Sequence, residues 1–142
     1  MSDRLILEVF VRIDRNGILR VGSENAGVTM IPFTGTARGE VFDGVIAPGG
    51  VDTQTVDARG VKSMSARYVL TGTDMTGTPC QIYVCNEGRF EDGKVPWPFH
   101  TVPSFITDSA ALKARFSGHR YRGEGHPGEE GPVIRFFEMS GD

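Results

Sequence analysis

The chain has 142 residues and a formal net charge of −3, with 15 Lys and Arg against 18 Asp and Glu, a length that one hydrophobic core serves, so a single domain over 1–142 is expected. The basic residues are scattered among acidic ones and form no stripe that could release counterions from a phosphate backbone, which argues against nucleic acid as a partner. No run approaches the roughly 20 apolar residues of a membrane helix, and Met1-Ser2-Asp3-Arg4 lacks the basic and apolar regions of a secretory signal, so a cytoplasmic location with no membrane partner is expected.

Leu5 to Ile13 carries apolar residues at every odd position (Leu5, Leu7, Val9, Val11, Ile13), the period of a strand. Asp14-Arg15-Asn16-Gly17 supplies a turn with residues tolerant of positive φ, and Ile18 to Val21 is expected to return beside the first strand as a hairpin. Val28 to Phe33 reads as a third strand broken at Gly35, and Thr36 to Ile46 as a fourth, ended by Ala47-Pro48-Gly49-Gly50. Val51 to Val56 alternates again before the turn Asp57-Ala58-Arg59-Gly60.

The clearest pair is Val61 to Gly72 and Thr78 to Glu87, joined by Thr73-Asp74-Met75-Thr76-Gly77. On the first of these, Met64, Ala66, Tyr68 and Leu70 share one face and Ser63, Ser65, Arg67, Val69 and Thr71 the other. Cys80 and Cys85 fall on opposite faces of the second, which suits two reduced thiols rather than a disulfide. Gly88 to Pro98 reads as a binding-loop candidate, and Trp97 to Phe105 as a strand at a rim, because Pro98 and Pro103 cannot donate ladder hydrogen bonds. A short helix is expected over Asp108 to Arg115 with Asp108 as N-cap. Phe116 to Arg122 returns to strand, Gly123 to Gly131 reads as a glycine-rich loop, and Pro132 to Met139 closes the chain with alternation. With 19 Gly and 8 Pro spread as punctuation, the fold class is all-β: a single closed antiparallel β-barrel of about eight strands with at most one short helix, since closure removes exposed edges.

Gly39-Glu40-Val41, then Gly44-Val45-Ile46-Ala47-Pro48-Gly49-Gly50-Val51-Asp52, Ser65-Ala66-Arg67-Tyr68-Val69-Leu70 and Gln81-Ile82-Tyr83-Val84-Cys85-Asn86-Glu87-Gly88 follow one another in an order that resembles the family called domain of unknown function 3237. The resemblance extends from about Gly35 to Glu138 and implies a small antiparallel barrel of the allene-oxide-cyclase-like or lipocalin-like kind. Pro98 to Phe105 is similar to a family segment that usually has Arg where His100 stands, and Ala111-Leu112-Lys113 approximates a Trp-Leu-Asn element.

Five residues from these segments form a first candidate constellation: Asp52, Arg67, Tyr68, Tyr83 and Asn86. If Arg67 and Tyr83 share an interior face, a guanidinium and a phenol converge on a ligand oxygen, with Asp52 as base or as the group orienting Arg67; the alternative is an Asp52–Arg67 ion pair at the mouth with packed tyrosines. Glu40 lies on one face with Arg38 and Phe42, where an apolar pocket would raise its pKa, and a solvated surface strand is the competing reading. His100, next to the proposed loop with Trp97, has a pKa range suited to acid–base work. His100, His119 and His126 show no metal-ligand spacing, so no metal is expected, and no Gly-x-Ser-x-Gly elbow is present.

The reading that results is a cofactor-independent isomerase, cyclase or lyase acting on a hydrophobic carbonyl-bearing small molecule in the barrel. Arg67 and Tyr83 stabilise an oxyanion, Asp52, Glu40 or His100 moves the proton, and Arg38, Phe42, Tyr68, Asn86 and Trp97 line the ligand. The alternatives are a non-catalytic lipocalin-like carrier or an accessory subunit, and a homo-oligomer is compatible with either. Arg67 is expected to face inward, which requires the apolar Met64–Leu70 face to be covered by another layer.

Overall fold

Alternation in the sequence becomes ten strands in the computed structural model, which describes residues 2–141: β1 Arg4–Ile13, β2 Leu19–Gly22, β3 Gly27–Arg38, β4 Phe42–Ile46, β5 Gly50–Val56, β6 Lys62–Asp74, β7 Pro79–Phe90, β8 Phe99–Thr107, β9 Tyr121–His126 and β10 Val133–Glu138. One helix, α1, spans Ala110–Phe116. All pairings are antiparallel and run β1-β10-β9-β8-β7-β6 around the wall. β6 then pairs with β5 along its first half and with β4 along its second, and both of these pair with β3. β3 meets β1 from Ile13↔Phe33 to Glu8↔Arg38, which closes the barrel; because β4 and β5 share one place in the wall and β2 lies outside it, the closed ring has eight strands.

The barrel is filled at one end and hollow at the other. Phe42, Leu70, Ile82 and Phe136 are at most 1% exposed and pack with Leu112 of α1, which is fully buried. Ser109 caps α1 by accepting from the Leu112 amide (3.0 Å), and its hydroxyl donates to Asp74 Oδ2 (2.7 Å) at the end of β6. Asp74 Oδ1 also accepts from Thr76 N, Thr76 Oγ1 and Thr78 N, so one carboxylate closes the β6–β7 turn and anchors the helix.

Several expectations are corrected. Residues after Asn16-Gly17 do not return along β1: both edges of β1 are taken by β3 and β10, so β2 pairs with the outer half of β3 (Leu19↔Met30 to Gly22↔Gly27). Gly35 bends β3 without breaking it; its φ of +147° and a Cβ that would lie 2.0 Å from the Phe10 carbonyl oxygen explain the glycine. A bulge between Leu5 and Leu7 buries both Ile6 and Leu7 and leaves Leu5 exposed. Asp108 accepts from the Gln81 amide instead of capping the helix, and Phe116 belongs to α1 rather than to a strand.

The expected loop at Gly123 is strand β9 as far as His126. A Cβ on Gly123 would sit 2.2 Å from Thr101 Oγ1, and one on Gly125 2.0 Å from the Phe99 ring. These glycines are the space into which two β8 side chains turn, and they therefore help shape the hollow end.

Candidate functional site

β6 presents Tyr68 and Leu70 to the interior, both at most 4% exposed, with the partly buried Met64 and Ala66 on the same side, whereas Arg67 is exposed. Arg67 therefore faces outward and not, as expected, into the barrel. No covering layer is needed, because the apolar face is the barrel lining and the polar face meets water.

Cross-strand register places Asp52 opposite Ala66, and Ala66 opposite Asn86, so Asp52 and Asn86 flank a small residue in one row across three strands. At a strand spacing of roughly 4.8 Å their Cα atoms lie on the order of 10 Å apart. Tyr68 is two residues along β6 from Ala66 on the same face, and Thr101 comes in from β8. Together with the apolar Val11, Ile31, Phe33, Met64, Phe99 and Ile134, these residues line a cavity whose empty volume is about 550 Å³ including its opening. Its enclosed part is about 60 Å³, room for a group of a few heavy atoms.

The polar groups of this wall are unusual. Asp52 Oδ1, Tyr68 Oη, Asn86 Oδ1 and Thr101 Oγ1 are all buried without a hydrogen-bond partner in the protein. Leaving such an atom unpaired costs about 1–3 kcal/mol, so four of them around one cavity mark the place where the chain departs from a purely structural interior. Burial is the main influence on Asp52 and raises its pKa above the ordinary carboxylate value; the Gln54 side chain, donating to Oδ2 at 2.8 Å, and the positive charge of Lys62 act in the opposite direction. Tyr68 is packed edge-on against Phe33 (ring centroids 5.2 Å), and burial pushes its phenol above its usual value, so its hydroxyl remains a donor. A buried carboxyl group, a phenol donor and an amide around an apolar space are groups of the kind that hold a polar atom of a small molecule and can exchange a proton with it.

Of the residues singled out from the sequence, the structure brings Asp52, Tyr68 and Asn86 into this cavity. Trp97 is exposed at 55% and touches it indirectly, its ring 5.3 Å from that of Phe99. The others lie elsewhere. Arg67 donates to Ser65 Oγ (3.2 Å) on the outer face, and Tyr83 shares that outer face, half-buried beside Val69 and Ile106. His100 is exposed, since β8 turns Phe99 and Thr101 inward. Glu40 pairs with Arg4 (2.7 Å) and Arg115 (3.4 Å) away from the cavity. Arg38 stacks over Phe10 at 4.7 Å, and Phe42 belongs to the filled end. Thr101 and Gln54 escaped the sequence reading; the alternation Phe99, Thr101, Pro103 against His100, Val102, Ser104 was the available signal for Thr101. No cluster of His, Cys, Asp and Glu able to hold a metal occurs among the described residues. No helix among them is long and apolar enough to cross a membrane.

Fold and cavity together define a closed β-barrel with one hollow, polar-spotted end. The chain belongs to the family described as "Protein of unknown function (DUF3237)", whose profile matches residues 4–139. No curated protein matches it. Among solved structures it is similar to a protein of unknown function from Clostridium acetobutylicum (25% identity, TM-score 0.78, covering 99% of this chain and 100% of that one). It is also similar to a β-barrel-like protein from Acinetobacter baumannii (19% identity, TM-score 0.75, covering 98% and 96%). A third similar structure is an enzyme from Penicillium herquei (16% identity, TM-score 0.62, covering 99% and 96%).

Proposed function

We propose that the hollow end of the barrel binds a small, largely apolar molecule bearing a carbonyl or hydroxyl oxygen and catalyses a cofactor-independent proton transfer on it, an isomerisation, cyclisation or elimination. The observation that carries this reading is the convergence of unpartnered Asp52 Oδ1, Tyr68 Oη, Asn86 Oδ1 and Thr101 Oγ1 on one apolar cavity. Asp52 takes the role of proton carrier, because burial brings its pKa towards the range in which a carboxyl group both gives and accepts a proton. Tyr68 donates to the substrate oxygen on which charge develops, where a donor fixed in an apolar wall acts more strongly than water. Asn86 and Thr101 orient the molecule.

The enzyme of similar barrel fold from Penicillium herquei is compatible with catalysis on such a scaffold. A carrier without turnover is the second reading, favoured by the predominantly apolar lining. Extraction of protein purified from its own cells, followed by mass spectrometry, identifies the occupant. Incubation of that compound with the protein in deuterated water then separates the readings. Deuterium uptake or a changed product with the native protein, lost in Asp52→Asn, supports proton transfer. Release of the compound unchanged and undeuterated would establish the carrier.

A further inference from the structure

Beyond the cavity, the wall made by β2, β3, β5 and β6 continues past the end of β1, because β2 takes over from β1 at the edge of β3. The inward row of this extension is set by register: Arg20 faces Thr29, Thr29 faces Gln54, and Gln54 faces Met64 of the cavity lining. Lys62, opposite Val56, occupies the next inward position of β6. Arg20, Thr29, Gln54, Val56 and Lys62 thus line one groove, of about 530 Å³ including its open face. Gln54 joins groove to cavity, since its amide holds Asp52 Oδ2 at 2.8 Å and its cross-strand partner Met64 lines the cavity.

The two cations of this groove make no salt bridge, although the charge of Lys62 acts on Asp52 from further away. Several arginines elsewhere on the barrel pair with carboxylates: Arg4 with Glu40, Arg12 with Glu130, Arg135 with Glu8, and Arg59 with Asp57 at 2.9 Å. Among the described residues no carboxylate lies within salt-bridge distance of Arg20 or Lys62. Asp57, the acidic residue that follows β5, is already closed on Arg59 and on the amides of Arg59 and Val61. Two cations without a salt bridge therefore stand on the inner side of a groove that leads to a largely apolar cavity, and a ligand that spans both meets apolar wall at one end and positive charge at the other.

We propose that the molecule bound by this barrel is an apolar carboxylic acid whose carboxylate is held at the rim by Arg20 and Lys62 while its apolar body enters the cavity; the proposal rests on the reading of the cavity as the binding site. Arg20 supplies a planar fork that matches a carboxylate, and Lys62 a mobile point charge. Gln54 offers a neutral contact between the rim and Asp52, which keeps the carboxylate of the ligand apart from that of the protein.

The test uses two probes of equal shape, hexanoate and hexanamide, titrated by protein-observed NMR or calorimetry against the whole chain. The expected result is at least about tenfold tighter binding of the acid, an advantage that shrinks with added salt and disappears in the double variant Arg20→Gln/Lys62→Gln. Both changes are at the rim, and circular dichroism checks that the variant is folded. Ala66→Leu, which narrows the cavity, should weaken acid and amide alike. Equal affinity for the two probes, both lost in Ala66→Leu, would overturn the carboxylate proposal and leave the cavity reading standing. An acid preference that persists in the double variant would also overturn it. Binding of neither probe, or binding indifferent to Ala66→Leu, would overturn the cavity reading and this proposal with it.

Discussion

Replacing Asp52 by Asn separates the needs of function from those of stability. Asp52 Oδ1 is buried without a partner, and burial of the charged form is the largest influence on its pKa, in the raising direction. A carboxyl group whose folded pKa lies above its unfolded value favours the native state most at low pH, where both states are protonated, and progressively less as pH rises through the folded pKa. The asparagine side chain of the Asp52→Asn variant would keep an acceptor for the Gln54 amide, now 2.8 Å from Asp52 Oδ2, and would remove the charge. The amide NH2 then takes the unpartnered position of Oδ1, so the gain comes from removing the buried charge, roughly 1–3 kcal/mol, which for a domain of this size raises the melting temperature by several degrees. The variant should therefore be more stable than the native protein at about pH 7, and the difference should shrink towards about pH 4 as native Asp52 takes up its proton. Thermal unfolding followed by circular dichroism at both pH values measures this, and deuterium incorporation into the bound compound should be abolished in the same variant. An Asp52→Asn protein less stable than the native one by more than about 1 kcal/mol at neutral pH would refute the reasoning, since it would mean that Gln54 and Lys62 stabilise the carboxylate more than burial penalises it.

Tyr68→Phe removes another unpartnered buried oxygen and should leave thermal stability unchanged or higher while weakening ligand binding or turnover at least about tenfold. Arg67→Ala, on the outer face, should change stability by no more than about 0.5 kcal/mol and leave binding intact, as titration with the extracted ligand would report. Gly125→Ala pushes a methyl group into the Phe99 ring and should cost about 1–3 kcal/mol in chemical denaturation and displace Phe99 from the cavity wall. Hydrogen bonds from Thr76 and Ser109 hold the Asp74 carboxyl at about 2, below its usual 3.8, so the stability it contributes is complete above the usual value and is lost as pH falls towards 2; the advantage of the native protein over Asp74→Asn in thermal melts should fade across that interval.

Much of the architecture is legible in the chain because the strands alternate and the turns carry their own chemistry. Asp57-Ala58-Arg59-Gly60 is one example: Asp57 accepts from Arg59 N and Val61 N, and Gly60 takes a φ of +82°. What local pattern could not supply was which strands become neighbours when the ring closes. Asn16-Gly17 signals a reversal correctly, yet the reversal feeds β3 rather than β1, because β1 spends both edges closing the barrel. Glycines in β9 mislead in the same way, since their reason is not local flexibility but the Phe99 and Thr101 side chains arriving from β8.

The site was half legible for a related reason. Two turns readable in the sequence fix the register of three strands: Val56↔Lys62 across the first and Thr73↔Pro79 across the second already imply Asp52↔Ala66↔Asn86. One further choice, which face is inside, then decides everything. Choosing the polar face of β6 as the lining of a wet cavity turned Arg67 and Tyr83 inward and required a covering layer for Met64, Ala66, Tyr68 and Leu70. The folded barrel resolves that choice by the elementary rule that the apolar face is buried, and its polarity resides instead in isolated atoms set into an apolar wall. Such a wall holds few polar groups because each is costly to bury, and for the same reason those that remain are strong candidates for chemistry. Asp52, Tyr68, Asn86 and Thr101 are recognisable less by their residue types than by the absence of any partner within the protein, a property that exists only once the ring has closed around them.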